Sequence, residues 1–288
     1  MTDDGIAYAT AMTRNAGLIG AAEQDRLRKS LVVIIGVGGD GGLVAERLSR
    51  LGVGRIRLID PGRFDVENLN RQYASSGETI GQNKAVAVGA RLRSIAPWAE
   101  IEIVEQGITE ANAQALLAGC SLVIDESEFS EPQISVAVCK AARTAGVPVL
   151  TGANVGFGAN IFAFNPEGMT LERYMGVAEG SGGDTDIIAA ARAWCPVVPS
   201  YLSYSLFEDA ANGVVPVPSV SQAVASVAAT VTHEAFEYLA GRRELVWVPH
   251  YISVDLHRRS MRIRRATRLG FLLSVLRLRF FGEKRGRA

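Results

Sequence analysis

Leu31-Val32-Val33-Ile34-Ile35-Gly36-Val37-Gly38-Gly39-Asp40-Gly41-Gly42 decides the fold. Five apolar, mostly β-branched residues in a row predict a strand buried on both faces. Glycines follow at once, and Val44, Leu48 and Leu51 then recur at helical spacing. Gly36, Gly38 and Gly41 satisfy GxGxxG between that strand and that helix. Glycine lets the backbone turn sharply and approach a phosphate, and a helix N-terminus offers unpaired N–H groups and a positive dipole end. The reading at this point is a nucleotide-binding turn, with tight helix–strand packing as the plain alternative.

Outward from this turn the pattern alternates. Gly52 and Gly54 end the helix 43–51, and a second strand is expected at 55–59 with Asp60 at its C-terminal end. Helices are expected at 84–95, 110–118 and 134–145, and strands at 101–104, 122–124 and 147–150. Such alternation predicts an α/β fold, a Rossmann-like doubly wound and mostly parallel sheet with an irregular C-terminal region. Beyond Thr151 the periodicity degrades. Pro216 and Pro218 exclude a central strand there, 222–239 reads as a long helix of small residues, and 246–254 as a final strand or pair. The expected organisation is a helical segment 1–30, a nucleotide-binding domain 31–160, a substrate and dimerisation region 161–257 and a tail 258–288.

Composition narrows the classes. With 48% hydrophobic and 21% charged residues, the 288-residue chain can bury a sizeable core. Its formal charge of zero conceals a split. From Arg258 onward eleven cations face one acid, Glu283, which makes the tail +10 and the rest −10. In the tail Leu269, Leu272, Leu273, Leu276 and Phe280 fall at helical spacing among arginines. That predicts a basic amphipathic helix, docked on its own acidic body or on an anionic membrane surface, an acidic partner or RNA. Cys120, Cys139 and Cys195 form no CxxC, so neither a disulfide framework nor a zinc site is expected. His233, His250 and His257 have no metal-ligand spacing. The start of the chain carries Asp3 and Asp4 and no apolar run, and no stretch reaches the ~18 apolar residues of a spanning helix. A cytoplasmic protein is expected.

A second constellation separates one nucleotide from another. Asp60, roughly twenty residues past the glycines, is placed to bond a ribose hydroxyl. Asn68-Leu69-Asn70-Arg71-Gln72 follows, and Ile80-Gly81-Gln82-Asn83-Lys84 opens a helix. An NAD-dependent oxidoreductase shares the glycines and Asp60 but gives no reason for an arginine and a lysine here. A triphosphate does: Arg71 offers a forked pair and Lys84 a point charge, both able to offset charge as pyrophosphate departs.

This ordered set resembles the ThiF/HesA/MoeB family, relatives of the ubiquitin-activating enzymes, over roughly residues 10–160. The resemblance implies ATP and Mg²⁺, attack of a carboxylate on the α-phosphate, release of pyrophosphate, and a homodimer. It implies that Gly36, Gly38, Gly39 and Gly41 cradle the nucleotide, Asp60 holds the ribose, and Asn68, Arg71, Gln72 and Lys84 meet the phosphates. It also implies that Arg14 reaches into the partner's site. Three departures stand out. Gly62 replaces the family's second acid, and Glu128 in Asp125-Glu126-Ser127-Glu128 takes the place of the metal-binding aspartate. Glu remains a competent ligand, its carboxylate shifted by roughly 1.5 Å, and Asp125 or Glu126 could share the metal. The zinc-binding CxxC pairs of many members are missing.

The expected substrate is a carboxylate on a peptide, small carrier protein or small molecule. The 152–158 segment, rich in small residues, reads either as room for an entering chain terminus or as a plain turn. Cys195, between Trp194 and Pro196, reads either as a small buried residue or as a thioester-forming thiol. A non-catalytic nucleotide-binding partner of a heterodimeric activator stays open through Glu128.

Overall fold

A computed structural model describes residues 3–128, 131–179, 187–211 and 214–282. In chain order the elements are α1 (Asp3–Ala11), α2 (Ala21–Lys29), β1 (Leu31–Ile35), α3 (Asp40–Leu51), β2 (Arg55–Ile59), α4 (Lys84–Ile95), β3 (Glu100–Val104), α5 (Glu110–Leu116), β4 (Leu122–Asp125) and α6 (Pro132–Ala145). Next come β5 (Val149–Val155), β6 (Gly158–Phe164), α7 (Leu171–Met175), α8 (Ile187–Trp194), α9 (Tyr204–Ala211), α10 (Ser221–Leu239), β7 (His250–Asp255), β8 (Ser260–Arg265) and α11 (Arg268–Arg277).

All eight strands form one sheet in the order β3-β2-β1-β4-β5-β6-β7-β8. The first five are parallel, and the pairs from β5–β6 onward are antiparallel. The chain winds outward from β1 to β3, then returns to lay β4 on the other side of β1. This reversal opens a crevice at the C-terminal ends of β1 and β4, where such sheets bind ligands.

β1 is buried along its whole length, and its alternate residues feed two cores. Val32 and Ile34 join the cluster under α3, α4 and α10, while Leu31, Val33 and Ile35 join the cluster under α5 and α6. Burial on both faces is why β1 reads as an uninterrupted apolar run. α10 lies across α3, β5 and β6 with Val224, Val227, Ala228 and Val231 inward, its small residues permitting close approach.

Several expectations change. The strand expected at 147–150 begins at Val149 and runs on to Val155, where it turns through Gly156 and Phe157 into β6. The 152–158 segment is therefore a tight hairpin. A Cβ at Gly152 would lie 2.3 Å from Val227 Cγ1, so helix packing fills the space that small residues were expected to leave. The basic stretch after Arg258 is not tail alone, since β8 pairs with β7 from His250↔Arg265 to Asp255↔Ser260. Finally, α11 docks on its own chain, but not by the leucines at 269, 272, 273 and 276. Ser274 and Leu278 are buried, whereas Leu269, Leu272, Leu273, Leu276 and Phe280 are exposed. Residue 160 lies inside β6 and residue 258 in the β7–β8 turn, so residues 31–160, 161–257 and 258–288 all contribute strands to one sheet, while 1–30 is helical. No helix among the described residues is long and apolar enough to cross a membrane.

Candidate functional site

The glycines at the end of β1 serve different ends. Gly36 has φ +76°, and a Cβ there would sit 2.1 Å from the Glu126 carbonyl oxygen. A Cβ at Gly41 would sit 1.9 Å from the Gly36 carbonyl oxygen. These two positions are glycine because backbone meets backbone. Gly38 and Gly39 face Gln72 and Val224 instead. Gly39 caps α3 without a side chain, which leaves the first-turn N–H groups open to an anion.

Asp60 closes the loop from the next strand. Its Oδ2 accepts from Val37 N at 2.8 Å, its Oδ1 accepts from Gly62 N at 2.7 Å, and Asn83 Nδ2 donates to its carbonyl at 2.9 Å. Each carboxylate oxygen has a further lone pair, so the acid that pins the loop can still accept from a ribose hydroxyl. At Gly62, where the family's second acid is missing, a Cβ would lie 2.9 Å from Asp60 Oδ1 and 3.5 Å from Lys84 Nζ. The Lys84 ammonium thus stands next to the space that a side chain at 62 would enter. Lys84 opens α4, capped by Asn83, whose Oδ1 accepts from Val86 N at 3.0 Å. A cation in a first helical turn opposes the helix dipole, so helix stability does not account for it.

The 68–72 segment forms a short 3₁₀ turn (Val66–Asn68) and its exit. Asn68 is buried and its Oδ1 accepts from Asp65 N at 3.0 Å, a cap that fixes the turn. Arg71 Nη1 donates to Glu67 O at 3.0 Å and to Asn70 Oδ1 at 2.9 Å. Gln72 Oε1 is buried beside Gly38 with no hydrogen-bond partner.

A group of acids lies behind the loop, and one of them, Asp40, was passed over in the sequence as the variable residue between glycines. Asp40 Oδ2 accepts from Asn154 Nδ2 at 2.8 Å, and its Oδ1 has no partner. Burial pushes its carboxyl up to about 7, with Glu128 adding to the rise and Asn154 and Arg71 opposing it. The sequence signal was a charge in a loop otherwise made of glycine and valine. Burial also holds Asp125 and Glu126 above the usual carboxylate range. Asp125 is tied to Ser127 and Ser135, and Glu126 Oε1 accepts from Gly152 N at 3.0 Å. Both are committed inside the protein, which leaves Glu128, exposed, as the carboxylate turned outward.

These features bear on the two expected ligands. The open helix N-terminus and the two cations fit a nucleotide triphosphate, while the unpartnered Gln72 Oε1, an acceptor, calls for a donor such as a hydroxyl or amino group of a ligand. Among the described residues no group of three or more His, Cys, Asp or Glu could hold a metal ion. Mg²⁺ typically takes only one or two carboxylates and completes its shell with phosphate and water, so Glu128 as a single protein ligand is consistent with it.

Arg14 lies on the turn Met12–Asn15, exposed. Tyr8, Met12 and Gln24 of this region crowd Gly52 at the C-terminal end of α3. The glycine loop is at the other end of that twelve-residue helix, roughly 18 Å away. Within one chain Arg14 does not join the site. Among the described residues Cys195 Sγ meets the Val197 carbonyl at 3.6 Å, and burial pushes its thiol up to about 12. That is the behaviour of a packed residue rather than of an acyl-accepting thiolate.

Known proteins resemble this chain in sequence and in fold. The sequence model of the ThiF family matches residues 12–269. The sulfur carrier protein adenylyltransferase of Thermus thermophilus is 32% identical over 147 residues, 51% of this chain and 54% of that protein. The tRNA threonylcarbamoyladenosine dehydratase of Bacillus subtilis is 38% identical over 117 residues, 40% of this chain and 46% of that protein. The chain thus spans about half the length of these curated relatives. Among solved structures, E. coli MccB with ATP superposes with a TM-score of 0.66 at 17% identity, covering 91% of this chain and 70% of that one. MccB, a microcin C7 biosynthetic enzyme, has also been solved with N-formylated MccA, and there the TM-score is 0.65 at 18% identity, covering 92% and 72%. At such identity the likeness is one of fold.

Proposed function

The chain belongs to the ThiF family, and from that premise we propose that it is an ATP-dependent adenylyltransferase activating a carboxylate as its acyl-adenylate. The observation that carries the reading is the Lys84 ammonium beside Asp60 and Gly62, at a helix end that disfavours a cation, next to an uncapped glycine loop. Bound ATP supplies an electrophilic α-phosphorus and a pyrophosphate leaving group, and Mg²⁺ would neutralise phosphate charge.

The chain's own residues do the rest. First-turn N–H groups of α3 receive phosphate oxygens, and Asp60 orients the ribose. Arg71 and Lys84 stabilise the charge that develops on the departing group. Glu128 would hold the metal, and Gly36, Gly38, Gly39 and Gly41 keep the loop low enough for the nucleotide to approach. In a homodimer Arg14 would reach the neighbouring chain's site, since it stands too far from its own. The substrate class is a peptide or carrier-protein C-terminus. The Thermus relative, by its name, acts on a sulfur carrier protein, and MccB is solved with MccA. A small carboxylate on a nucleoside is the class suggested by the dehydratase relative. All three cysteines are free thiols, which suits a cytoplasmic setting.

Calorimetry of ATP with Mg²⁺ against NAD, on wild type and Arg71→Ala, tests the reading. ATP is expected to bind preferentially and at least about tenfold more weakly to the variant, the loss of one charge-assisted phosphate contact. NAD binding, or indifference to Arg71, would overturn it. A second reading, nucleotide binding without turnover, draws on the lone exposed Glu128. With peptide C-termini supplied as the carboxylate, ATP–pyrophosphate exchange that survives Glu128→Ala unchanged would rule out Glu128 as the metal ligand, and wild type that binds ATP but exchanges with none of them would favour the silent partner.

A further inference from the structure

The face of α11 that carries its large apolar residues points away from the protein. The helix is held from its other side. Ser274 Oγ accepts from Val198 N at 2.9 Å, Leu278 is fully buried, and Phe271 meets Phe207 with ring centres 6.4 Å apart. Thr267 caps the N-terminus, its Oγ1 accepting from Gly270 N at 3.0 Å. Opposite these anchors Leu269, Leu272, Leu273, Leu276 and Phe280 are 65%, 53%, 47%, 39% and 68% exposed. Five large apolar side chains on one fixed face form a patch that calls for a partner.

Charge indicates which partner. From Arg258 to Gly282 there are eight arginines and no acid. An isologous contact between two copies of this face would set arginines against arginines, so the patch is poorly built to pair with itself. What satisfies both features is a surface with hydrocarbon just below a layer of anions. Leucines on the exposed face enter the acyl boundary, and arginines at its margins meet phosphates. The remainder of the chain carries −10 and would be repelled from the same surface, which turns the glycine loop's acidic body outward.

We propose that α11 is an interfacial helix that seats this protein on an anionic lipid surface, independently of what the nucleotide site does. The test is flotation of the full-length protein with phosphatidylcholine vesicles, with and without about one quarter phosphatidylglycerol, at about 0.1 M and about 0.5 M salt. Wild type is expected to float with the anionic vesicles and to lose at least about tenfold of that binding on neutral vesicles or at the higher salt. The variant Leu272→Glu/Leu276→Glu, both sites being solvent-facing, should keep its circular dichroism and lose the binding. Arg277→Glu should weaken it. Failure of wild type to float, or equal flotation of the double variant, overturns the proposal. So does a wild-type dimer that ignores vesicles and dissociates in the double variant, since a second copy would then cover the face.

Discussion

Asp40 in the first turn of α3 accepts a 2.8 Å hydrogen bond from Asn154 in β5, which ties the nucleotide loop to the start of the antiparallel half of the sheet. The carboxyl is held at about 7, far above its ordinary 3.8, because its burial costs more than Asn154 and Arg71 return. Between these values the folded protein holds a proton that the unfolded chain releases. Stability contributed by the protonated form is therefore lost as pH rises from about 4 to about 7. Asp40→Asn removes the titration. Urea unfolding across pH 4–8 should show the variant more stable at pH 8 by ~2–4 kcal/mol and level with wild type near pH 4. Parallel profiles would mean that Asp40 is ionised throughout.

Lys84 trades stability for charge. Lys84→Met should weaken ATP by about tenfold or more while raising folding stability by ~0.3–1 kcal/mol, since the helix dipole no longer faces a cation. Calorimetry reads the first effect and urea unfolding the second. A variant that loses stability and keeps its affinity would make Lys84 a structural residue.

The glycines should separate by position. Gly41→Ala places a methyl 1.9 Å from a carbonyl oxygen and should cost at least ~3 kcal/mol or prevent folding. Gly77→Ala, with nothing within 4 Å of the added carbon, should be near neutral. Thermal unfolding of the pair checks this, and equal tolerance would mean that the β1–α3 turn relaxes.

The thiols should be silent. Burial pushes Cys120 up to about 11 and Cys195 up to about 12, and Cys139 rises well above its ordinary value. At pH 8 a thiol of pKa ~12 is ionised in roughly one molecule in ten thousand. Titration with a disulfide reagent should detect no rapid thiol in the native protein and three in urea. A fast native thiol lost in Cys195→Ser would revive the thioester reading.

Much of the fold was readable because local pattern and tertiary role agree in the parallel half. The expected strands 31–35 and 55–59 match β1 and β2 to the residue: β1 is buried along its length and reads as an apolar run, and β2 keeps Ile56, Leu58 and Ile59 buried while Arg55 is exposed and Arg57 half-buried. The antiparallel half hid itself. β6 carries Gly158 and Asn160 after a glycine-rich stretch, so its first half resembles loop until Gly156 is seen turning a hairpin. β8 is an edge strand bearing Arg262, Arg264 and Arg265, and edges are where charge is tolerated, so it passed for tail. Within the site, Asp60, Arg71 and Lys84 could be picked out by residue type and spacing. Asp40 and Asn154 could not, because their pairing spans 114 residues and exists only once β5 lies beside α3.

The seal between Gly36 and Glu126 sets a timetable for the growing chain. β1 pairs with β2 within a few dozen residues, but its other neighbour, β4, arrives about ninety residues later. Until then one long edge of the most apolar strand lies bare, and the turn that follows it has no wall to press against. Contacts this distant in sequence are slow to form. A ribosome-bound chain halted before residue 122 should therefore expose a sticky β1 edge and bind no nucleotide. Release of the chain through Glu126, which supplies both β4 and the carbonyl that walls Gly36, is expected to cover that edge.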